Sequence, residues 1–452
     1  MTIANCNTLD LWERPRATKK EVTNSGGPTI VDDLPLGREI LNDEIFVIRN
    51  CESRYLTHLF HKYAGKFIPH IPRWGMHRFL KRNEGKIVLD PFVGSGTTLV
   101  EAMLDGQRGY GLDVDPLARL ISKVKTTNIA ESRLSSLSRE VTEALGQTDR
   151  GTFRPGIPTL SHWFTEKAIE DLSSIYSVVE RYRNESDIHD FLVICFSSII
   201  RRASNADNQT MKTYVSHTNP KKPEDARALF LKTVHGYADR LIKFGSLVQS
   251  NGRTKLIDNG DARDIDVLWF GNDLPPVDLA ITSPPYIKSV DYVYNQMAEL
   301  FWIGERWGLE NQGKQNAFKR LYIGNDRPSK NKPVNLPILD DKCIDTYLLR
   351  IYEQNPHLGL VAFNYFSSMD RHFQGMKRIL RPGAHYLMVV GDSTLAGVSV
   401  PTHTLLALCA RRHGFRVLSQ FAYEIRNKHM HFPRGGRGGE VSHDWVINLS
   451  FS

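Results

Sequence analysis

Two separate stretches of the chain show short apolar runs that alternate with helix-like segments. The runs 86–90 and 108–113 predict strands, and each is followed by a segment of helical periodicity. Apolar runs that stop at a turn are typical of strands buried on both faces of a parallel sheet. The alternation resumes at 255–258 and at 277–282. We therefore predict an α/β fold built on a doubly wound, largely parallel sheet.

The segment 127–252, which lies between these stretches, shows helical periodicity alone. Thr165 can cap one helix, and Asp187 can cap a second helix that is apolar on nearly every side. Pro223 suits the first turn of a third, longer helix. These features predict a helical insertion domain between two halves of the sheet.

The two ends of the chain differ in character. Residues 1–45 are polar and interrupted by Pro and Gly, which predicts an N-terminal arm. Near the other end, a helix is predicted over 366–380 and a strand over 385–391. The runs 417–423 and 445–451 predict a terminal antiparallel pair of strands.

Composition limits the class of protein. The 452 residues are 41% hydrophobic, enough for a sizeable core, so general disorder is excluded. The net charge of +8 fits an anionic partner such as nucleic acid. No apolar stretch reaches the roughly 20 residues that cross a bilayer, and the N-terminus lacks the features of a signal peptide. We expect a cytoplasmic protein with no membrane partner.

Cysteine and histidine spacing argues against a metal centre. The five cysteines are scattered and never spaced as CxxC, so we expect reduced thiols and neither a disulfide framework nor a zinc site. Histidine pairs such as His429 and His431 lack the neighbouring Cys or Asp residues that a metal site needs. We therefore predict no metal.

The segment 90–98, Asp-Pro-Phe-Val-Gly-Ser-Gly-Thr-Thr, directly follows the first predicted strand. Glycines at such a turn let the backbone approach a ligand, and the next helix offers free N–H groups. A P-loop would need a Lys-Ser/Thr pair after the glycines, and a dinucleotide fingerprint would need a further glycine in place of Leu99. The segment predicts a small-ligand loop; the alternative is a plain strand-to-helix turn.

Two acidic residues follow predicted strands. Asp113 comes about twenty residues after the glycine loop, where an acid can accept hydrogen bonds from ribose hydroxyls. The alternative is a turn residue ahead of Pro116. Asp261 follows the strand at 255–258 and can either accept from an adenine amino group or cap a turn. Both roles remain open for Asp261.

The segment Thr282-Ser283-Pro284-Pro285-Tyr286 follows the strand at 277–282. Consecutive prolines fix φ and remove N–H donors, so the carbonyls between them are rigid acceptors. Ser283 adds a side-chain acceptor and Tyr286 an aromatic face. Such a notch suits an exocyclic amine on a base that has left the duplex. The alternative is a proline pair that only ends the strand.

The glycine segment and the Ser-Pro-Pro-Tyr segment together resemble the amino-methylating DNA methyltransferases. These enzymes use S-adenosylmethionine to methylate cytosine N4 or adenine N6. The segment 63–67, Tyr-Ala-Gly-Lys-Phe, resembles their motif that closes over the methionine end of the cofactor. The resemblance covers about 55–130 and 255–451. It implies a Rossmann-like, seven-stranded methyltransferase sheet, here with a large helical insertion.

The resemblance also implies an organisation, a cofactor and partners. Residues 46–126 would be the cofactor-binding half of the methyltransferase domain, and 253–452 the catalytic half. The cofactor would be S-adenosylmethionine and the substrate double-stranded DNA. A serine before the proline pair is more typical of cytosine-N4 enzymes, although adenine enzymes vary there too. The setting implied is restriction–modification, with a cognate restriction endonuclease acting separately.

Site residues carry over from the family motifs. The flipped base would lie against Tyr286, and its amine would be held by Ser283 and the Pro284 carbonyl. The catalytic residues implied are Ser283, Pro284, Pro285 and Tyr286. The cofactor-binding residues implied are Tyr63, Lys66, Asp90, Phe92, Gly94, Ser95, Gly96, Thr97, Thr98, Asp113 and Asp261.

The sequence departs from the family in where its insertion falls. The insertion separates the second and third strands, and no target-recognition domain follows the catalytic region. Its polar linker is a candidate for DNA contact, because Arg and Lys bond phosphates or guanine. The residues in question are Arg201, Arg202, Lys212, Lys221 and Lys222. The alternative is a solvated basic loop.

Three other functions fit the same residues. The first is the same reaction on adenine N6, and the second is methylation of RNA or of a protein amide. The third is a non-catalytic DNA-binding relative, against which the intact glycine loop, Ser283 and Tyr286 argue.

Overall fold

A computed structural model describes residues 28–49, 51–148, 150–157, 159–208, 213–258, 260–288, 291–324, 336–424 and 443–451. The described strands are β1 (Thr29–Val31), β2 (Ile45–Ile48), β3 (Ile87–Asp90), β4 (Arg108–Leu112), β5 (Arg253–Ile257), β6 (Val277–Thr282), β7 (Leu380–Gly391), β8 (Ser393–Leu395), β9 (Val398–Val400), β10 (Phe415–Glu424) and β11 (Asp444–Phe451).

The described α-helices are α1 (His70–Phe79), α2 (Thr97–Asp105), α3 (Pro116–Thr126), α4 (Glu131–Gly146), α5 (Leu160–Trp163), α6 (Glu166–Glu180), α7 (Ser186–Ala203), α8 (Ala226–Leu247), α9 (Ile265–Gly271), α10 (Tyr292–Asn295), α11 (Met297–Ile303), α12 (Gln312–Phe318), α13 (Lys342–Gln354), α14 (Pro356–Ile379) and α15 (Thr402–Arg412). Short 3₁₀ helices include Leu56–Leu59, Ala262–Asp264, Gly304–Trp307 and Lys319–Leu321. No helix among the described residues has the length and apolar character needed to span a bilayer.

Nine strands form one sheet in the order β1-β2-β10-β11-β7-β6-β3-β4-β5. Neighbouring strands are parallel except at β11, which is antiparallel to both β10 and β7. The seven strands from β10 to β5 form the predicted Rossmann-like methyltransferase sheet, so that prediction is confirmed. The N-terminal strands β1 and β2 extend its edge. The arm predicted over 1–45 is therefore wrong for 29–31, because these residues pair with β2.

Alternate residues of the central strands face two different cores. Val88 and Leu387 pack with α1, whereas Leu89 and Met388 pack on the opposite face with α9 and α13 to α15. The period of two along a strand separates these faces. Both faces are covered by helices, which explains why the central strands are largely apolar.

The insertion between β4 and β5 is helical, as its periodicity predicted. Its helices share a hydrophobic core with the sheet domain: Phe191 of α7 and Phe230 of α8 lie in the same cluster as Val100 of α2 and Leu117 of α3. The insertion therefore forms an additional layer over α2 and α3, because its apolar faces are buried against them.

Of the two predicted helix caps, Thr165 was right and Asp187 was wrong, and the first-turn position predicted for Pro223 was also wrong. Thr165 accepts a hydrogen bond from the Ala168 amide at the start of α6. Asp187 lies inside the first turn of α7, not at its cap. Pro223 precedes α8, which begins where the Asp225 side chain accepts from the Ala228 amide at 2.8 Å. Asp225 therefore caps α8, and Pro223 lies outside the first turn in which it was predicted.

Candidate active site

The carboxyl ends of three adjacent parallel strands, β4, β3 and β6, meet at one edge of the sheet. Ligands of open α/β sheets bind in the crevice at such an edge. The ladder between β3 and β6 includes the pairs Val88↔Leu279 and Leu89↔Ala280. Beyond these pairs, side chains join the two strands, and the glycine loop and the Ser-Pro-Pro-Tyr segment leave the sheet there.

Asp90, the last residue of β3, connects β3 to β6 by hydrogen bonds at the start of the glycine loop. Its carboxylate accepts from Thr98 Oγ1 at 2.7 Å, from Thr282 Oγ1 at 2.5 Å and from the Phe92 amide at 3.1 Å. Burial raises the pKa of Asp90 to about 6, an effect that these hydrogen bonds oppose. Asp90 and Thr98, both predicted as cofactor contacts, are wholly buried here and hold the loop in place.

The glycine loop has the strained backbone for which glycine is suited. Gly94 has φ of +47° and Gly96, at the N-terminal cap of α2, has φ of +80°. A Cβ on Gly96 would lie 2.8 Å from Ser122 Oγ and 3.1 Å from Ser122 Cα. The Ser122 hydroxyl in turn donates to the Gly94 carbonyl at 2.8 Å. The close approach of α3 therefore requires glycine at position 96.

A buried lysine of α3 donates a hydrogen bond to the backbone of the glycine loop. Lys125 Nζ donates to the Ser95 carbonyl at 2.7 Å. Burial, with the nearby charge of Lys66, lowers the pKa of Lys125 well below its usual range. Ser95 Oγ is buried and has no hydrogen-bond partner among the described residues, so it is a polar group of the loop that remains available.

Asp113 lies beside the loop, and its carboxylate already accepts hydrogen bonds from two backbone amides. Oδ2 accepts from the Gly94 amide and Oδ1 from the Asp115 amide, both at 2.9 Å. Burial, followed by the charge of Asp115, raises the pKa of Asp113 to about 7. Asp113 therefore fixes the loop while its side chain also lines the cavity described below.

Asp261 lines the same cavity. Its Oδ1 accepts from the Arg263 amide at 2.9 Å, which makes Asp261 the cap of the 3₁₀ helix Ala262–Asp264. Its carboxylate also forms an ion pair with the Arg263 guanidinium at 2.6 Å. The turn-capping role is thus present, and the side chain still reaches the cavity.

Three tyrosines form one wall of the cavity. The ring of Tyr63 stacks on Tyr292 with centroids 5.4 Å apart, and Tyr292 stacks on Tyr322 at 5.7 Å. Burial raises the pKa of all three phenols, so the wall is uncharged near neutral pH. Flat aromatic surfaces of this kind suit a stacked ring.

The Ser-Pro-Pro-Tyr segment supplies the remaining wall. Ser283 and Pro285 line the cavity, whereas Pro284 is buried. The Tyr286 hydroxyl donates to Asp444 Oδ1 of β11 at 3.0 Å, and burial raises the pKa of Tyr286 well above its usual range. Tyr286 is thus anchored by its hydroxyl to the sheet.

The cavity brings together seven of the fifteen predicted site residues. It is lined by Tyr63, Gly65, Pro91, Phe92, Gly94, Asp113, Val114, Gly260, Asp261, Ala262, Ser283, Pro285, Tyr292, Leu321, Tyr322 and Ile323. The predicted residues outside this lining are Lys66, Asp90, Ser95, Gly96, Thr97, Thr98, Pro284 and Tyr286. Lys66 instead donates to the His61 carbonyl at 3.1 Å.

Comparison with known proteins gives consistent matches. A family model described as DNA methylase, of the N6/N4 type, matches residues 52–123. The Type II methyltransferase M.MvaI of Kocuria varians is 26% identical over 411 residues, which cover 86% of this chain and 88% of that protein. The chain belongs to the N4/N6 family of amino-methylating DNA methyltransferases.

Two further Type II methyltransferases are similar to this N4/N6 family member. M.BsoBI of Geobacillus stearothermophilus is 22% identical over 391 residues, or 76% of each chain. M.MjaII of Methanocaldococcus jannaschii is 49% identical over 71 residues, or 15% of this chain and 13% of that protein. The similarity to M.BsoBI is long and low, and the similarity to M.MjaII is short and higher.

S-adenosylmethionine is the cofactor of this N4/N6 methyltransferase, and the residues present fit it. Gly94 lines the cavity and has no side chain, so it leaves space there that a Cβ would enter. Ser95 Oγ is buried without a partner among the described residues, and Asp113 presents a carboxylate to the cavity. When bound, the cofactor supplies an electrophilic methyl group.

The predicted DNA-contacting residues differ in how exposed they are and in what they contact. Arg201 is only 8% exposed and its Nε donates to the Asp207 carbonyl at 3.0 Å, so its placement does not suit a phosphate contact. Arg202 pairs with Glu224 at 2.5 Å, and Lys221 Nζ donates to the Arg201 carbonyl at 2.6 Å. Lys222 is exposed. Lys212 lies outside the described residues.

Sequence reasoning missed Tyr292, Tyr322 and Arg263. Tyr292 follows the Ser-Pro-Pro-Tyr segment within a few residues, so its aromatic character near a predicted notch was an available signal. Tyr322 reaches the cavity only through the fold. Arg263 comes two residues after Asp261 in the sequence, but its contact with that carboxylate depends on the 3₁₀ turn.

Proposed function

We propose that this protein transfers a methyl group to the exocyclic N4 amine of a flipped cytosine in duplex DNA, as the modification enzyme of a restriction–modification system. One observation carries the proposal: a single cavity is lined by Ser283 and Pro285 as well as by Gly94, Asp113 and Asp261. Ser283, one of the two acceptors proposed for the amine, thus shares one cavity with residues proposed for the cofactor. The cytosine preference rests on Ser283 before the proline pair.

The chain's own residues would act mainly by orientation. Ser283 Oγ and the Pro284 carbonyl would accept hydrogen bonds from the two N–H groups of the amine and aim the nitrogen lone pair into the cavity. Tyr286, anchored through Asp444, would offer a ring face to the base. The amine proton would leave to solvent after transfer. No covalent enzyme intermediate is required, so no cysteine nucleophile is needed.

The decisive test identifies the modified base. Purified protein is incubated with S-adenosylmethionine and duplex DNA, and the DNA is digested to nucleosides for mass analysis. N4-methylcytosine is the expected product. N6-methyladenine would overturn the cytosine assignment and leave the reaction class intact. A protein that binds the cofactor but labels no DNA, and labels RNA or protein instead, would overturn the DNA proposal.

Asp113 predicts a pH dependence of cofactor affinity. Its pKa of about 7 in the free protein means that its carboxyl is protonated below that pH and ionised above it. Ribose hydroxyls donate to the ionised form and favour it. The Kd for S-adenosylmethionine should therefore fall by about tenfold from pH 6 to pH 8. Isothermal titration calorimetry across this range checks it.

The control for the pH dependence is Asp113→Asn, which cannot titrate. Its affinity should be weaker than that of the wild type at pH 8 and nearly flat between pH 6 and pH 8. A wild-type Kd that is constant across this range, or a variant with the same slope as the wild type, would contradict the assignment.

The exposed Lys222 offers a test of the DNA-contacting segment. Lys222→Glu should weaken duplex binding a few-fold. It should also make the dependence of log K on log salt concentration shallower by about one unit of slope, because binding with one phosphate contact fewer releases about one counterion fewer. Lys342→Glu makes the same charge change at the start of α13, on the other face of the sheet. If the slope of log K against log salt were equal for the two variants, the DNA would not contact this linker at Lys222.

A further inference from the structure

The Asp261 carboxylate is held by more than a turn cap. The Arg263 Nε lies 3.0 Å from both Oδ1 and Oδ2, and the Nη2 lies 2.6 Å from Oδ2. A cap needs only the backbone amide of Arg263, which is already bonded to Oδ1. The guanidinium therefore adds a fork of two donors that the turn itself does not require.

The same guanidinium also holds a second segment. Arg263 Nη2 donates to the Leu321 carbonyl at 3.2 Å. Leu321 belongs to residues 319–324, which we call the strap, and Leu321, Tyr322 and Ile323 of the strap line the cavity. Arg263 therefore connects Asp261 to the wall of the cavity that the strap forms.

The strap is tethered at its other positions too. Lys319 Nζ pairs with Asp291 at 2.7 Å, and the Gly324 carbonyl accepts from the Lys288 amide at 3.0 Å. A Cβ on Gly324 would lie 2.6 Å from the Tyr286 carbonyl, so the strap runs close against the Ser-Pro-Pro-Tyr segment. One end of the strap is thus fixed beside Tyr286, the other is held by Asp291, and Arg263 holds the middle.

The donors already present restrict what Asp261 can accept. A carboxylate offers about four lone-pair sites, and the Arg263 amide, Nε and Nη2 occupy three directions around it. The side chain of Asp261 is 24% exposed and faces the cavity. The guanidinium, whose Nε also contacts the second oxygen, therefore fixes the orientation in which the carboxylate meets a donor arriving in the cavity.

We propose that Arg263 is a positioning residue that sets the selectivity of the cavity for an amino-bearing purine, the adenine end of the cofactor. It does so by orienting the free lone pair of Asp261 toward the amine and by holding Leu321 of the strap against the same end of the cavity. The inference rests on the proposed function, because it takes Asp261 as the acceptor for the adenine amine.

The test compares two ligands that differ at one position of the purine. S-adenosylhomocysteine carries the adenine amine, and S-inosylhomocysteine carries a carbonyl oxygen there. The wild type should prefer the adenine ligand, since a carbonyl facing Asp261 would be repelled. Arg263→Gln should bind S-adenosylhomocysteine about tenfold more weakly and should reduce the preference about tenfold, the size of one charge-assisted hydrogen bond. Arg263→Lys should fall between the two.

A matched control separates this role from general stability. Arg371→Gln removes an arginine that pairs with Asp264 of the same 3₁₀ helix but does not line the cavity. Its affinity and preference should equal those of the wild type. At saturating cofactor, Arg263→Gln should keep its kcat within about twofold while KM rises, because the catalytic notch is unchanged.

The outcomes are distinct. If Arg263→Gln kept the wild-type preference, or lost affinity for both ligands equally with a lowered Tm, the positioning role would be overturned. A wild type that prefers the adenine ligand but modifies no DNA would overturn the proposed function and leave the role of Arg263 supported. A wild type without any preference would overturn the role of Arg263 even if it methylated DNA.

Discussion

Replacing Ser283 by alanine should reduce methyl transfer to duplex DNA by about 10²–10³-fold, the usual cost of losing one oriented polar contact at a reacting centre. Ser283 lines the cavity beside Pro285 and supplies one of the two acceptors proposed for the amine. The glycine loop and Asp113 contribute other parts of the lining, so the Kd for the cofactor should stay within about twofold of the wild type. Single-turnover transfer and calorimetric binding measure the two quantities separately.

The matched control for Ser283 is Ser246→Ala. Ser246 is exposed near the end of α8, where its hydroxyl donates to the Lys243 carbonyl. This variant should transfer methyl groups at the wild-type rate. A near-native rate for Ser283→Ala would show that the catalytic assignment of the Ser-Pro-Pro-Tyr segment is wrong, whereas loss of both rate and cofactor affinity would show that Ser283 serves the cofactor.

Replacing Gly94 by valine should abolish both cofactor binding and methyl transfer. Gly94 has φ of +47°, and its Cβ would lie 3.2 Å from Cε1 of Tyr63 across the cavity. A β-branched residue at positive φ costs about 1–3 kcal/mol in backbone strain, and its methyl groups would extend into the cavity that Gly94 lines. The Kd for S-adenosylmethionine should rise by at least about 100-fold.

The control for Gly94→Val is a valine at another glycine of positive φ, where the backbone is strained in the same way but the cavity is not obstructed. Gly397 has φ of +79°, and a Cβ there would have no atom within 4 Å. Gly397→Val should lower Tm but keep the wild-type affinity for the cofactor. If Gly94→Val bound S-adenosylmethionine as tightly as Gly397→Val does, the loop would not contact the cofactor.

The local elements of this protein were accessible from sequence because they depend on neighbouring residues. The strands around Val88 and Leu279 are short apolar runs that end at breakers, and the cap at Thr165 depends on one hydroxyl and a nearby amide. The glycine loop was also predictable, since positive φ angles at Gly94 and Gly96 are a property of that residue type.

Roles that depend on tertiary contacts were harder to assign. Asp90 stands in the predicted loop, yet it is buried and bonds Thr98 and Thr282, the latter from a strand that follows far along the chain. Arg201 belongs to a basic linker, yet it is 8% exposed. Sequence shows that a residue is polar or charged, but burial by distant segments decides what it can contact.

The sequence by itself determined the chemistry of the site and the order in which its parts occur. Gly94, Gly96, Ser283 and the proline pair have their properties from residue type and immediate neighbours. The tertiary structure alone decided that β3 and β6 lie side by side, that Tyr292 and Tyr322 form a wall with Tyr63, and that Arg263 holds both Asp261 and Leu321. The reason is physical: local conformation follows from sterics and hydrogen bonds within a few residues, whereas strand order and side-chain partners follow from burying apolar surface across the whole chain.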